Sequence, residues 1–447
     1  MNLSTLALRP LPVSAAIAAL FLAAPVRAQS LVELYEAARA YDASFQSARA
    51  LYEATLAKGA QARAGLLPTA NLSATLSRTE YESTVAGTTT DRGYGTRTAT
   101  LSASQPLYRP ANLASHEQGV LQADLAQAQL ATAEQDLIVR VSQAYFDVLA
   151  SQDSLTFVQA QKAAVAEQLA AAKRNFEVGT STITDTREAQ ARYDLVLAQE
   201  IAAENDLRVK RIALDQLVGK TGTAPRPLAL PVKLPELAPG DVTAWVAKAE
   251  EGHPGIRQSR INVDVSRLET EKAQAGHKPT VDLTASYNIT RNPSGNTSVG
   301  GSFRSDSTTI GVTLNLPLFA GFATQNRIKE TLALEEKARA DLEATVRSVS
   351  QGTRTAFFGV QSGMGQVRAL EAAEASSQSA LDANKLGYQV GVRINIDVLN
   401  SQSQLFQTKR DLAKARYDVL VGGLKLRQAN GTLTPADLNA VNALLAR

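Results

Sequence analysis

The spacing of apolar and polar positions changes along the chain, and each change marks an element. From Leu31 to Ala64 the chain is rich in Ala, Leu, Glu and Arg and free of proline, which predicts one helix. The period then shortens to two. Over Thr69 to Ser77, Leu72, Ala74 and Leu76 alternate with Asn71, Ser73, Thr75 and Ser77; over Thr98 to Leu107, Ala99, Leu101 and Ala103 alternate with Thr100, Ser102 and Ser104. Such alternation predicts strands with one apolar and one polar face. It returns more strongly later. Val281, Leu283, Ala285, Tyr287 and Ile289 alternate with Asp282, Thr284, Ser286, Asn288 and Thr290, and Ile310, Val312, Leu314, Leu316 and Leu318 alternate with Thr309, Gly311, Thr313 and Asn315. Polar stretches rich in Gly, Ser and Thr, near Tyr81 to Gly95 and Arg291 to Asp306, read as exposed loops within each strand pair.

After each pair the helical period takes over. From residue 111 to 224, and again from 318 to the proline at 435, the chain is dense in Ala, Leu, Gln, Glu and Arg. Val398, Leu405, Leu412, Val419 and Leu426 recur every seven residues, as do Leu207 and Leu214, which is the seam of helices lying side by side. Each stretch is too long for one ordinary helix, and each is split by a similar turn: Phe176-Glu177-Val178-Gly179 followed by Asp185, and Tyr388-Gln389-Val390-Gly391 followed by Asp397. Glycine suits the left-handed position past a helix end, and the aspartate is expected as N-cap of the returning helix. Limbs of about 50 to 60 residues would reach on the order of 80 to 90 Å at 1.5 Å per residue.

The recurrence is a tandem duplication. Pro68 and Pro279 lie in matching contexts 211 residues apart, Pro106 and Pro317 keep the same step, and Asp185 and Asp397 differ from it by one. Residues 29–222 form a first repeat of helix, two strands and helical hairpin, and residues 241–430 form a second. A linker over 223–240 holds five of the 16 prolines, and 431–447 is a C-terminal segment. Residues 1–28 read as a signal peptide: Arg9, an apolar run from Leu11 to Ala24, and Val26-Arg27-Ala28 as cleavage site.

Composition narrows the chemistry. With no cysteine there is neither a disulfide framework nor a thiolate metal site. His116, His253 and His277 fall in different elements and are expected at the surface, which argues against a histidine-based metal or acid/base cluster. Gly219-Lys220-Thr221 imitates the end of a phosphate-binding loop, yet Leu214 stands where its first glycine belongs and the preceding segment is helical. No catalytic residue, metal or cofactor is expected, and the near balance of charge gives no reason to expect a nucleic-acid partner. Beyond the signal region no apolar run reaches 18 residues, so a membrane crossing would have to be made of strands.

Four amphipathic strands with open edges cannot stand alone in a bilayer, because unpaired backbone groups are costly there. Membrane barrels need at least eight strands, so several copies must close one, and a polar inner face suits the wet lumen of twelve strands from three chains better than the filled interior of eight. A trimeric autotransporter adhesin also takes four strands from each chain, but contiguously at its C-terminus, and a stand-alone porin has no use for so much helix.

These segments resemble the TolC family of outer-membrane channel proteins. The likeness covers the whole mature chain and is most specific at Phe176-x-Val-Gly with Ile183-Thr184-Asp185, at Tyr388-x-Val-Gly-x-Arg393 with Asp397-Val398-Leu399, and at Leu316-Pro317-Leu318-Phe319-x-Gly321. The resemblance implies a fold that is mainly α with membrane β: a trimeric twelve-stranded β-barrel continuous with a long α-helical coiled-coil tunnel in the periplasm. It implies an exit duct for drug efflux or type I protein secretion, working with an inner-membrane transporter of the ABC or RND type and a periplasmic adaptor. It further implies an iris at the two turns. There Asp185 and Arg393 match an ion pair, Thr184 and Tyr388 a hydrogen-bonded pair, and Gln168 a third link whose usual acidic partner is Lys385 here. Asp397 matches one carboxylate ring of the constriction, and Asn400 stands in place of the other.

Overall fold

The computed structural model describes residues 28–229 and 231–446, so the signal-peptide reading lies outside the described residues apart from Ala28. The expected first helix is two helices, α1 (Leu31–Tyr41) and α2 (Ala43–Ala64). The break falls at Asp42, whose extended backbone leaves its carboxylate free to accept from Phe45 N at 2.8 Å while Arg140 grips both its oxygens at 2.9 and 3.0 Å. A helix-propensity average cannot register one residue recruited by a partner almost a hundred positions away.

Strands β1 (Thr69–Val85) and β2 (Thr88–Tyr108) are far longer than the alternation indicates, and the loop expected over Tyr81 to Gly95 is a hairpin paired from Thr69 opposite Ser104 to Val85 opposite Thr88. Beyond Leu76 the outer positions become Arg78, Glu80 and Glu82, so both faces are polar and the alternation fades although the strand continues. Ala86 and Gly87, both at positive φ, make the two-residue turn that a twisted hairpin requires.

Long helices follow: α3 (Pro110–Glu177) with 68 residues and α4 (Ile183–Val218) with 36. The second repeat comprises α5 (Val242–Gly252), α6 (Pro254–Gln274), β3 (Thr280–Asn292), β4 (Phe303–Asn315), α7 (Ala323–Gln389) of 67 residues and α8 (Asn395–Ala429) of 35, before a short C-terminal α9 (Asp437–Asn442). β4 stops at Asn315, short of Leu316 and Leu318, where Pro317 can no longer donate to the ladder. The limbs are therefore unequal rather than two of 50 to 60 residues. α3 spans about 100 Å. Its tip half packs on α4 and its strand-side half on α2 and α6; α7 packs likewise on α8 and α6.

All four strands form one antiparallel sheet in the order β1-β2-β3-β4, so the β2–β3 pairing joins the two repeats and β1 and β4 are left as edges. The register keeps the faces separate across every strand. Leu72 stands opposite Leu101 and Leu101 opposite Tyr287, while Ser73, Thr100 and Asn288 share the other face, where Thr100 and Asn288 are hydrogen-bonded. At the foot of the sheet Arg109 reaches Asp282 with two bonds of 2.8 and 2.7 Å, fixing the start of α3 to β3.

The largest core lies midway along the helices, where Leu31, Leu34 and Tyr35 of α1 meet Leu137, Tyr145 and Phe146 of α3, Leu214 of α4 and Leu424 of α8, closed over by Leu433, Leu438 and Leu445 of the C-terminal segment. The proline-rich stretch takes part: Leu228 is buried there and bridges to Leu445, and Tyr145 donates its hydroxyl to Arg226 O at 2.9 Å. All the heptad residues, Val398, Leu405, Leu412, Val419 and Leu426 with Leu207 and Leu214, are buried. The histidines depart from expectation: His277 is exposed, but His116 and His253 are half-buried, and His253 Nδ1 accepts from Gly255 N at 3.0 Å to cap α6.

Candidate functional site

The two helix turns lie at the end of the tube far from the strands. Gly179 (φ 77) and Gly391 (φ 76) take the left-handed conformation that a Cβ would strain. In the first turn the N-cap of α4 is Thr182, and Asp185 sits three residues inside, its carboxylate accepting from Thr182 N at 2.9 Å and Thr182 Oγ1 at 2.8 Å. The expected aspartate cap is thus a capping box, the hydroxyl serving the third residue and the acid reaching back. Asp397 occupies the same third position in α8, whose N-cap is Ile394 and makes no side-chain bond. Its carboxylate lies 3.7 Å from Arg393, whose stem folds over Gly387 so closely that a Cβ there would come within 2.7 Å of Arg393 Cγ.

Within one chain, then, Asp185 and Arg393 each have a partner in their own turn, and Thr184 and Lys385 are exposed. The other candidates are tied between elements. Gln168 of α3 donates to the Asn395 carboxamide, Asn395 Nδ2 donates to Asp185 O at 3.3 Å, and Asn175 Nδ2 donates to the Tyr388 hydroxyl at 3.4 Å. Arg192 of α4 donates to Asn400 Oδ1 at 2.8 Å. Asn395, Asn175 and Arg192 are partners of the candidate residues that the sequence alone does not point to. Asn395 is fully buried, three residues before Val398 and seven before buried Gln402, so a polar residue recurring on the heptad seam was the available signal.

Apolar contacts set the base beneath these bonds. Leu399 is buried with Val165, Leu169, Ala189 and Val196 of the first hairpin, whereas its neighbour Val398 is buried with Leu381 and Leu405 beside Tyr388. α8 is therefore a wedge that takes part in the packing of both hairpins.

A sheet with two open edges and one apolar face, carried on helices of about 100 Å, defines a wall segment of a membrane channel continued by a helical tube. Residues 34–220 and 245–432 each match the outer membrane efflux protein family. Outer membrane protein TolC of Vibrio cholerae is 35% identical over 438 residues, 98% of each chain, and alkaline protease secretion protein AprF of Pseudomonas aeruginosa is 34% identical over 428 residues, covering 93% of this chain and 87% of the relative. The crystal structure of the outer membrane protein VceC from Vibrio cholerae shares the fold, with a TM-score of 0.76 at 20% identity over 90% of this chain and 96% of that one. The chain belongs to the outer membrane efflux protein family, and it is an outer-membrane channel protein whose helices lie in the periplasm.

Proposed function

We propose that three copies close a twelve-stranded barrel continuous with a helical tunnel, and that the tunnel is an exit duct shut at rest by the paired turns. The observation that carries this reading is the sheet itself: edges β1 and β4 are unpaired, and Leu72, Leu76, Ile310, Val312 and Leu314 stand more than 60% exposed on its apolar face. The cargo class follows from the names of the relatives, one of which is a protease secretion protein. An inner-membrane transporter of the ABC or RND type and a periplasmic adaptor complete the path, since a passive duct supplies no driving force of its own.

In the closed state Asp185 of one hairpin faces Arg393 of its neighbour, Thr184 bonds Tyr388, and Gln168 holds Asn395. An exposed ion pair contributes about 0 to 1 kcal/mol, so the gate rests on threefold repetition of small terms acting on a two-state iris. Asp397 lines the constriction and attracts cations. Asn400, held by Arg192, brings a positive neighbour where a second carboxylate ring would otherwise stand. Single-channel recording in planar bilayers tests the reading. Arg393→Ala with Tyr388→Phe is expected to raise resting conductance several-fold in trimers that remain heat-resistant on denaturing gels; unchanged conductance would leave the turns as plain helix hairpins.

A further inference from the structure

Followed outward along the apolar face, the rows of the sheet end abruptly. Ala74, Ala99 and Ile289 form one row, apolar on β1 to β3 and closed on β4 by Asp306; the next row comprises Leu76, Arg97, Arg291 and Arg304, with Leu76 opposite Arg97, Arg97 opposite Arg291 and Arg291 opposite Arg304. Three successive strands thus place a guanidinium on the same face at the same height, and all three arginines are exposed. Like charges directly opposite one another destabilise a sheet. The row therefore calls for anions. Arg304 has one in Asp306, with contacts of 2.8 and 2.7 Å, and one row further out Arg78 lies 3.6 Å from Glu80. Among the described residues Arg97 and Arg291 have no carboxylate within 4.0 Å, and Glu82 and Asp91, opposite each other, lie still further out on the hairpin.

Two features say what covers them. The first is height. From Val281 to Arg291 a strand rises about 33 Å, or about 25 Å once tilted in a barrel, which is the depth of the apolar band. The other end of the band is aromatic and apolar, with Tyr108, Leu318, Phe319 and Phe322 exposed at the strand–helix junction. The arginine row accordingly sits at headgroup level on the side away from the periplasmic helices. The second is shape. Opposite Arg78 and Glu80 stand Gly95 and Gly93, whose missing side chains leave a cleft beside Leu76, Arg78 and Arg97.

We propose that Arg97 and Arg291, with Arg304 at their flank, bind the phosphate groups of an anionic glycolipid in the outer leaflet, its acyl chains lying along the apolar positions of β1 to β3 below. Guanidinium groups match phosphate in a bidentate manner, and the adjoining apolar positions of β1 to β3 favour a lipid over a free anion. The proposal rests on the barrel reading above, and its test separates the two. Wild-type protein in neutral detergent is titrated with diphosphoryl lipid A, with the same lipid stripped of phosphate, and with inorganic phosphate. Binding to the diphosphoryl form is expected to be at least ten-fold tighter than to either of the others. Arg97→Gln with Arg291→Gln should lose at least ten-fold, whereas Arg92→Gln, on the opposite face of β2, should lose nothing. Equal affinity for the stripped lipid, equal affinity for inorganic phosphate, or an unaffected double variant would each overturn the proposal. A heat-resistant trimer with normal conductance shows that the barrel itself is intact; its absence in wild type would fault the barrel reading instead. If the double variant fails to assemble, the headgroup preference of the wild type decides.

Discussion

Glu269 of α6 shows how much one side chain can carry in this protein. Its carboxylate accepts from Lys272 at 2.8 Å, from Gln118 of α3 at 3.1 Å and from Arg327 of α7 at 2.7 Å, so it links three helices just below the strands. Burial pushes the carboxyl up, but the bonds from Lys272, Gln118 and Arg327 outweigh it and hold the group down at about 2. A depressed carboxyl contributes stability that is fully present above its ordinary value of 4.5 and is lost as pH falls through about 2. Glu269→Gln should therefore be less stable at neutral pH, and its deficit against wild type should shrink as pH drops from about 4.5 to 2. Thermal melts followed by circular dichroism across that range check this, and a deficit that stays constant would mean the charge is not what matters. At this scale the sequence was half legible. Gln168, Tyr388 and Asn400 stand out at the turns, but their partners Asn395, Asn175 and Arg192 lie 227, 213 and 208 residues away, a distance over which spacing carries no information.

Among the elements, period proved a sound guide to type and a poor one to length. Helices and strands were legible because apolar residues must face a neighbour every three to four or every second position. Where both faces are wet, as at Arg78 to Glu82, the period vanishes and the strand continues on backbone pairing alone. The α2–α3 crossing was likewise hidden, since it depends on two glycines. A Cβ on Gly59 would lie 2.9 Å from Gly119 O, and one on Gly119 would lie 2.8 Å from Ala62 Cβ. Gly119→Val must push the helices apart at the foot of the sheet and is expected to cost about 1 to 3 kcal/mol. A melting temperature equal to that of wild type would show that the helices do not approach so closely.

For the whole molecule, the two faces of the sheet make different demands. A charged side chain near the middle of the lipid face costs about 2 to 4 kcal/mol, whereas a lumen position is wet. Leu101→Arg should accordingly abolish heat-resistant trimers in outer-membrane fractions, while Thr100→Arg, its immediate neighbour, should leave them intact. Equal loss in both variants would contradict the assignment of faces. The duplication was legible from a shared offset, and with it the similarity of the two halves. How the halves meet was not, because an offset says that two units are alike and is silent on which of their strands are neighbours.

That meeting, the pairing of β2 with β3, bears on how the chain acquires its fold. Each outer hairpin closes over a short connection, whereas Thr98 must find Thr290 across a whole repeat, a loop closure whose entropy is met before any of its ladder bonds form. A chain delivered from its N-terminus presents β2 with a bare edge for as long as the second repeat takes to arrive. The nascent protein is therefore most prone to aggregation through β2 in that interval, and its safe passage depends on the tempo of delivery as well as on the sequence.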